Sequence, residues 1–472
     1  MELIDTTPPR TLTPRLTLLL ASFSTLLSSL DSSVNIAFPA ISATFALDVP
    51  VMQWIVISYV LTYASLLLGC GRLADVWGHQ RVLTWGLILS TTAFLSCGFA
   101  PTFPLFLAAR VLQGIGVALV LAAAPALATL SVPPEARGQA LGIFQMSAAI
   151  GFALGPLIGG VLVDAFGWRA VYLFRVFPAA LLAMLAFQRV ALRSERKDSQ
   201  PFDVLGALTL AGGVAGFLLA ISRSQVLGWL SPIVIAMLIG ASISFVAFAI
   251  IEERTPAPVV QLNLFRRPAF TIANLLNVLA NCAAFAIWLL VPYYIVNSLG
   301  YSAKAGGLLL TTSPAATALV APLAGRLSDQ IGTARLSSIG LGLEALGLWS
   351  ISQLSVTSSA FTVILTLALV GLGLGLFQAP NMSFVMGSIP RTQQGVAGSV
   401  TQMMRTLGIV LGVTGASMLF ASRRAVHAEQ LHLPKVDDLL SFVPAFQDVF
   451  RIAAIVCFVA WGLSLLRGKK KR

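Results

Sequence analysis

Residues 71–81 read GRLADVWGHQR, and 254 residues later positions 325–335 read GRLSDQIGTAR. Gly71, Arg72, Asp75, Gly78 and Arg81 of the first copy thus return as Gly325, Arg326, Asp329, Gly332 and Arg335. Each copy sits between two long apolar runs, so it reads as a short polar loop joining two helices. Glycine permits a tight turn there. Aspartate can cap or pair at a helix end, and the arginines can reach carboxylates on neighbouring helices.

The composition demands a lipid environment. Hydrophobic residues make up 57% of the 472 positions and charged residues only 10%, against roughly 25% charged in ordinary soluble domains. Fourteen apolar runs of about bilayer length lie near 16–38, 51–70, 82–99, 104–128, 138–163, 169–187, 203–222, 229–250, 270–297, 304–324, 336–352, 359–380, 395–420 and 448–466. Gly212, Gly213, Gly216 and Pro232 dilute the seventh and eighth. The first run is too long for a signal-peptide core and reads as a retained span. Lysine and arginine collect on one set of alternate connections, about twenty against about six, which places both termini in the cytoplasm. That bias accounts for the +12 net charge. Nucleic-acid binding is not implied, because the charge is scattered over short connections. Cys70, Cys97, Cys282 and Cys457 fall in or at the ends of apolar runs without metal-ligand spacing, and read as packing residues.

The duplication extends beyond the opening motif. Pro125 returns as Pro380, Arg137 as Arg391 and Gly155, within a residue or so, as Gly408. These landmarks divide the chain into an N-terminus (1–15), a six-helix bundle (16–190), a two-helix insert with linkers (191–268), a second six-helix bundle (269–466) and a basic tail (467–472). A G-R-L-[AS]-D-x-x-G loop once per half resembles the major facilitator superfamily, and six plus two plus six spans resembles its fourteen-span drug/proton antiporter branch. The resemblance covers nearly the whole chain. It implies an all-α membrane protein with two pseudo-symmetric six-helix bundles plus an insert, working by alternating access. The two loop motifs would then form a cytoplasmic latch whose contacts set the conformational equilibrium. A purely topogenic role for their arginines is the alternative.

Asp31 lies midway along the first run in SSLDSSVNIAFPAI (28–41). A carboxylate at that depth is expensive, so it should face the bundle interior or a cavity. Proton handling and a structural hydrogen bond are both open to it. The segment resembles the L-D-x-[ST]-x-V-N-x-A-[LF]-P signature of the branch, with Asn35 and Pro39 in place. Arg110 opens ARVLQGIGVALV (109–120), which is similar to the family's R-x-x-Q-G-x-G stretch and includes Gln113. The resemblance implies that this arginine communicates with the proton site. In the repeat register Phe285 stands opposite Asp31, and Ile364 or Leu365 opposite Arg110. Proton coupling is therefore expected in the first half. Glu344, deep in the eleventh run, is a further proton candidate. Arg175 departs from the neutral amide more usual in the family and reads as structural pairing or snorkelling.

Gly151, Gly155 and Gly159 recur every four residues in GFALGPLIGG (151–160), giving a flat face for close helix approach. Pro156 permits a bend. With Gly160, the stretch resembles the antiporter motif of drug/proton exporters, and plain packing is the alternative. Asn274, Asn277 and Asn281 form a polar stripe in the ninth run, continued by Phe285 and Trp288. Amides and aromatics suit a cavity that accepts varied organic molecules, and interhelical hydrogen bonding is equally open. Gln378 and Asn381 flank Pro380, and Arg405 agrees with a family arginine near the start of the thirteenth run. Together with Asn35 and Gln113 these make up the expected cargo-binding set.

The chain thus reads as a proton-coupled exporter of amphipathic organic compounds in a bacterial cytoplasmic membrane, monomeric and without cofactor or metal. No enzyme is expected, since His79, His427 and His432 fall in connections and no phosphate-binding P-loop occurs. A dedicated exporter of one endogenous metabolite is the alternative, and the in-span arginines mildly favour an anionic one. A membrane sensor that kept the fold is a remote third reading.

Overall fold

An apolar chain in lipid can satisfy its backbone groups only within helices or closed barrels, and here helices do so. The computed structural model describes residues 14–130, 137–190, 203–228, 230–255, 262–389, 394–431 and 439–466. Residues 1–13, most of the first linker and the basic tail lie outside them. The chain begins with α1 (Pro14–Ser29), a 3-10 turn (Leu30–Ser32), α2 (Ser33–Ile36) and α3 (Phe38–Phe45). Then come α4 (Gln53–Trp77), α5 (His79–Phe99), α6 (Phe103–Leu130), α7 (Arg137–Phe166) and α8 (Ala170–Val190). The insert supplies α9 (Val204–Leu227) and α10 (Pro232–Arg254). After it follow α11 (Pro268–Ala284), α12 (Ala286–Tyr293), a π turn (Tyr294–Ser298) and α13 (Ala303–Ile331). The last helices are α14 (Thr333–Ile351), α15 (Ala360–Gly387), α16 (Gln394–Gln430) and α17 (Leu439–Leu466).

Each of the fourteen apolar runs carries a helix or a broken succession of helices. Among the described residues, 11 segments are long and apolar enough to cross a membrane, and these do not include α9, α13 or α14. The outward surface is apolar. On α10, Ile233, Ile239, Ile243 and Val246 are all exposed, an arrangement that suits lipid rather than water.

Helix partners recur in the register of the sequence repeat. α1 packs on α7, α4 and α5 on α6, and α5 on α8. Correspondingly, α11 packs on α16, α13 and α14 on α15, and α14 on α17. The two sets meet where α7 lies on α13 and α4 on α16. Of the insert, α9 touches α4 and α16, while α10 leans on α9.

Two helices break where the repeat register aligns them. The first span loosens into the 3-10 turn at Asp31, and α11 gives way to α12 at Phe285. A proline follows each break, Pro39 in one and Pro292 in the other, removing a backbone donor that would otherwise continue the ladder.

The repeated motif is a helix end and not a loop. Residues 71–77 belong to α4 and 325–331 to α13, and the chain reverses at one residue in each copy: Gly78 (φ 95°, ψ 130°) and Gly332 (φ 92°, ψ 138°). The residues before them are helix-compatible, so the helix runs on to the position where only glycine is comfortable. Gly71 and Gly325 are therefore helical and do not form the turn. Arg81 and Arg335 are exposed, and the side chains of Arg72, Asp75, Arg326 and Asp329 lie outside the described positions.

Substituting alanine at Gly78 or Gly332 should cost about 1–3 kcal/mol through backbone strain. At Gly71 nothing lies within 4 Å of where a Cβ would sit, so alanine should be neutral or stabilise by about 0.5–1 kcal/mol. Thermal unfolding of the purified variants checks this; equal losses at positions 71 and 78 would contradict it.

Candidate functional site

Asp31 sits at the break in the first span and gathers four hydrogen bonds from three side chains. Arg110 of α6 donates through Nη1 to Oδ1 at 2.9 Å and through Nη2 to Oδ2 at 3.0 Å. Gln113, one turn further along α6, donates to Oδ1 at 2.8 Å, and Arg175 of α8 donates to the same oxygen at 3.0 Å. Both arginines are anchored behind the carboxylate. Arg110 Nε donates to the Ile55 carbonyl at 3.0 Å, and its guanidinium lies 4.4 Å from the Tyr59 ring centre. Arg175 Nε donates to the Val171 carbonyl at 3.1 Å, with its guanidinium 4.5 Å from the Phe94 ring centre. The arginine side chains are 2% and 0% exposed and that of Asp31 12%. Asp31 is therefore the face of a buried cluster that other molecules can reach.

What it faces is a central cavity of about 660 Å³, within the range of pockets that enclose a drug-sized molecule. The first span, α4, α6, α7, α11, α12, α13, α15 and α16 line it. Asp31, Asn35 and Arg110 mark one region of the wall, and Asn277, Asn281, Gln378, Gln402 and Arg405 another. Phe152 and Trp288 supply an apolar corner, their ring centres 5.1 Å apart. The wall reaches Met382 near the end of α15 and Thr401 near the start of α16. It thus extends towards the end of the bundle that carries the Gly78 and Gly332 turns.

At the opposite end the helices before α9 are joined to those after α10. The glycine face of α7 explains the contact. A Cβ at Gly151, Gly155 or Gly159 would collide with Leu26, Ser32 or Ser33 of the first span, so α7 lies directly against the break at Asp31. On the other side of the same helix, Gly160 abuts Ala303 and the Pro156 carbonyl abuts Gly307, both of α13. Asp164 then caps α13 from outside, accepting from the Ala303 and Lys304 N–H groups at 3.0 and 2.8 Å. Tyr293 donates to the Phe38 carbonyl at 3.3 Å and Ser417 to the Pro50 carbonyl at 3.0 Å, adding to this closure.

Family comparison matches the Major Facilitator Superfamily over residues 21–413 and again over 273–471. The chain belongs to that superfamily. It is a multi-pass membrane transporter, and members of the family are not enzymes. Its relatives include a riboflavin transporter, RibZ, of Clostridioides difficile (strain 630), 27% identical over 96% of this chain and 97% of the relative. The multidrug resistance protein Stp of Mycobacterium tuberculosis (strain CDC 1551 / Oshkosh) is 31% identical over 85% of this chain and 74% of its own length. A tetracenomycin C resistance and export protein of Streptomyces glaucescens is 29% identical over 86% and 76%. Among solved structures, a bacterial homolog of the human lysosomal transporter Spinster, in an inward-facing and unoccupied conformation, superposes with TM-score 0.72. It shares 16% identity, over 96% of this chain and 97% of that one.

Against this facilitator fold, several expected site residues fall elsewhere. Gln113 does not line the cavity; it lies behind the wall as a donor to Asp31 and an acceptor from Arg110 at 2.7 Å. Asn274 is absent from the described lining and donates back to the Phe270 carbonyl of its own helix at 3.0 Å. Its neighbours on the stripe do reach the cavity, Asn277 while donating to the Thr401 carbonyl at 3.0 Å and Asn281 while donating to Asn277. Seven residues bring Asn281 back to nearly the face of Asn274, so the two differ in their depth along α11 rather than in the face they occupy. Glu344 is fully buried on α14 beside Gly373 of α15 and Cys457 of α17, away from the described cavity lining. Pro156 does not interrupt α7. Arg175, read from sequence as structural, is part of the Asp31 cluster, and Tyr59, Phe152 and Asp164 were not anticipated.

Asp164→Ala removes both cap bonds to α13, a loss of about 0.5–2 kcal/mol. The population with this end open should rise roughly two- to thirtyfold. Spin labels at the exposed positions 166 and 356 report it as a longer distance component; an unchanged distance distribution would contradict the role of the cap.

Proposed function

We propose that this facilitator exports amphipathic organic compounds in exchange for protons, with Asp31 as the proton carrier. The carrying observation is where Asp31 lies: at a helix break, on the wall of a cargo-sized cavity, and shared between two buried guanidiniums. A carboxylate held this way is stabilised as the anion. A proton arriving on it cancels the attraction and leaves Arg110 and Arg175 facing each other without a counter-charge. The cluster must then rearrange, and it links the first span, α6 and α8. Proton binding thereby biases one arrangement of the helices over another, as a coupled transporter requires.

Alternating access would work between residues 16–190 and 269–466 in a bacterial cytoplasmic membrane, with the termini in the cytoplasm. The recurring helix pairings support two related halves. The Asp164 closure opposite the cavity's extension supports a state open to the cytoplasm. The motif copies ending α4 and α13 would serve as the cytoplasmic latch, and Asn35, Asn277, Asn281, Phe285, Trp288, Gln378 and Asn381 as contacts for cargo. Relatives named for multidrug resistance and for tetracenomycin C export support outward movement of organic molecules.

Inverted vesicles from an efflux-deficient host provide the test. A pH-sensitive dye follows proton release as lipophilic cations, anions and neutral compounds are added. Wild type should respond to at least one class. Asp31→Asn keeps an acceptor for Arg110 but carries no titrating proton, so its response should fall to background while compound binding, read by tryptophan fluorescence, persists. Proton release undiminished in Asp31→Asn would overturn the assignment.

A further inference from the structure

We propose that the cargo is an amphipathic anion whose carboxylate is received by Arg405 on α16. The inference rests on reading the central cavity as the cargo site and adds the charge that the cargo must carry.

Arg405 lines the cavity on the helix face it shares with Thr401 and Ile409. Unlike Arg110 and Arg175, it has no carboxylate partner among the described residues. Its Nε is buried without a hydrogen-bond acceptor. A guanidinium in the membrane interior is expensive unless an anion or carbonyl groups complete it, so this one is left waiting for a counter-charge.

The charges around the cavity favour the same conclusion. Among the described lining residues Asp31 is the one carboxylate, while Arg110 and Arg405 both reach the wall. Arg175 stands behind Asp31 and shares it. Three guanidiniums against one carboxylate leave a net +2. A cationic cargo would meet repulsion here, and an anionic one would supply what is missing.

The wall between the two cationic points is aromatic. Tyr59 lies under Arg110, its ring centre 5.2 Å from that of Tyr63, and Tyr63 lies beside Arg405. With the Phe152 and Trp288 corner, this gives an aromatic body somewhere to lie while its charged end is held. An anion and a proton do not compete for this cavity by charge, so their exchange has to run through the conformational change at Asp31. The inside-negative membrane potential also drives a departing anion outwards.

Three probes of one shape separate the possibilities: 2-naphthoate, 2-naphthamide and 2-naphthylmethylammonium. Their binding to the full chain in zwitterionic nanodiscs is measured by calorimetry for wild type, Arg405→Gln and Arg405→Lys. Naphthoate should bind wild type roughly ten- to a hundredfold more tightly than the amide, the range of a charge-assisted contact. Arg405→Gln should erase that preference by weakening naphthoate far more than the amide, and Arg405→Lys should keep part of it. Equal or tighter binding of the cation, a uniform loss for all three probes in Arg405→Gln, or no binding of any probe would overturn the inference. The assay reads binding alone. An Arg405-dependent preference would therefore survive a failure of proton exchange, and proton exchange with cationic compounds would survive a failure here.

Discussion

A single carboxylate shared by two buried guanidiniums is the constraint around which this transporter is arranged. Asp31 cannot be removed without leaving two cations stranded, a loss of the kind that costs about 3–5 kcal/mol in a protein interior. The first span breaks into a 3-10 turn at that residue, where it meets Arg110, Gln113 and Arg175 together. Irregular backbone at membrane depth is tolerated where it borders a cavity or is packed within protein, and both conditions hold here.

The same break is where the two parts of the molecule become mechanically linked. α7 presents glycines to the first span at Ser32 and Ser33, immediately after Asp31, and Ser32 Oγ donates to the Phe152 carbonyl at 2.9 Å. The other side of α7 holds α13 through Gly160, Pro156 and Asp164. One helix thus touches the carboxylate's surroundings on one face and the closed end of the bundle on another. A side chain larger than hydrogen at Gly155 would separate α7 from the first span and weaken that link. The stretch at 151–160 therefore joins the surroundings of Asp31 to the closure.

Much of this was legible in the sequence because its signals are periodic or costly. Apolar runs of bilayer length located the helices. A charge in the middle of an apolar run is expensive enough that Asp31 and Arg110 had to be partners of something. The glycines at 151, 155 and 159 announced a close contact, although not that it falls on the break at Asp31. What the sequence left open depends on three-dimensional proximity. Arg175 is one charged residue in an apolar run, and only the packing of α8 on α5 and of α6 beside them brings it to Asp31. Gln113 carries the same amide as Gln378, yet its helix turns it into the cluster rather than the cavity. Asn274 and Asn281 occupy nearly the same face of α11, two turns apart, and their depth along the helix decides which is a wall residue. The motif at 71–78 read as a loop because its polar residues suggested one, while the backbone remains helical until Gly78 forces the reversal.

Asp31 is proposed as the group that changes protonation as the transporter changes state, with the arginines responding to it. Infrared difference spectroscopy on the reconstituted protein tests that most directly, comparing acidic with neutral buffer in wild type and Asp31→Asn. A protonated-carboxyl C=O band should appear on acidification in wild type, diminish when cargo is added and be missing from Asp31→Asn. The same band in both proteins would place the titrating group elsewhere and contradict the account.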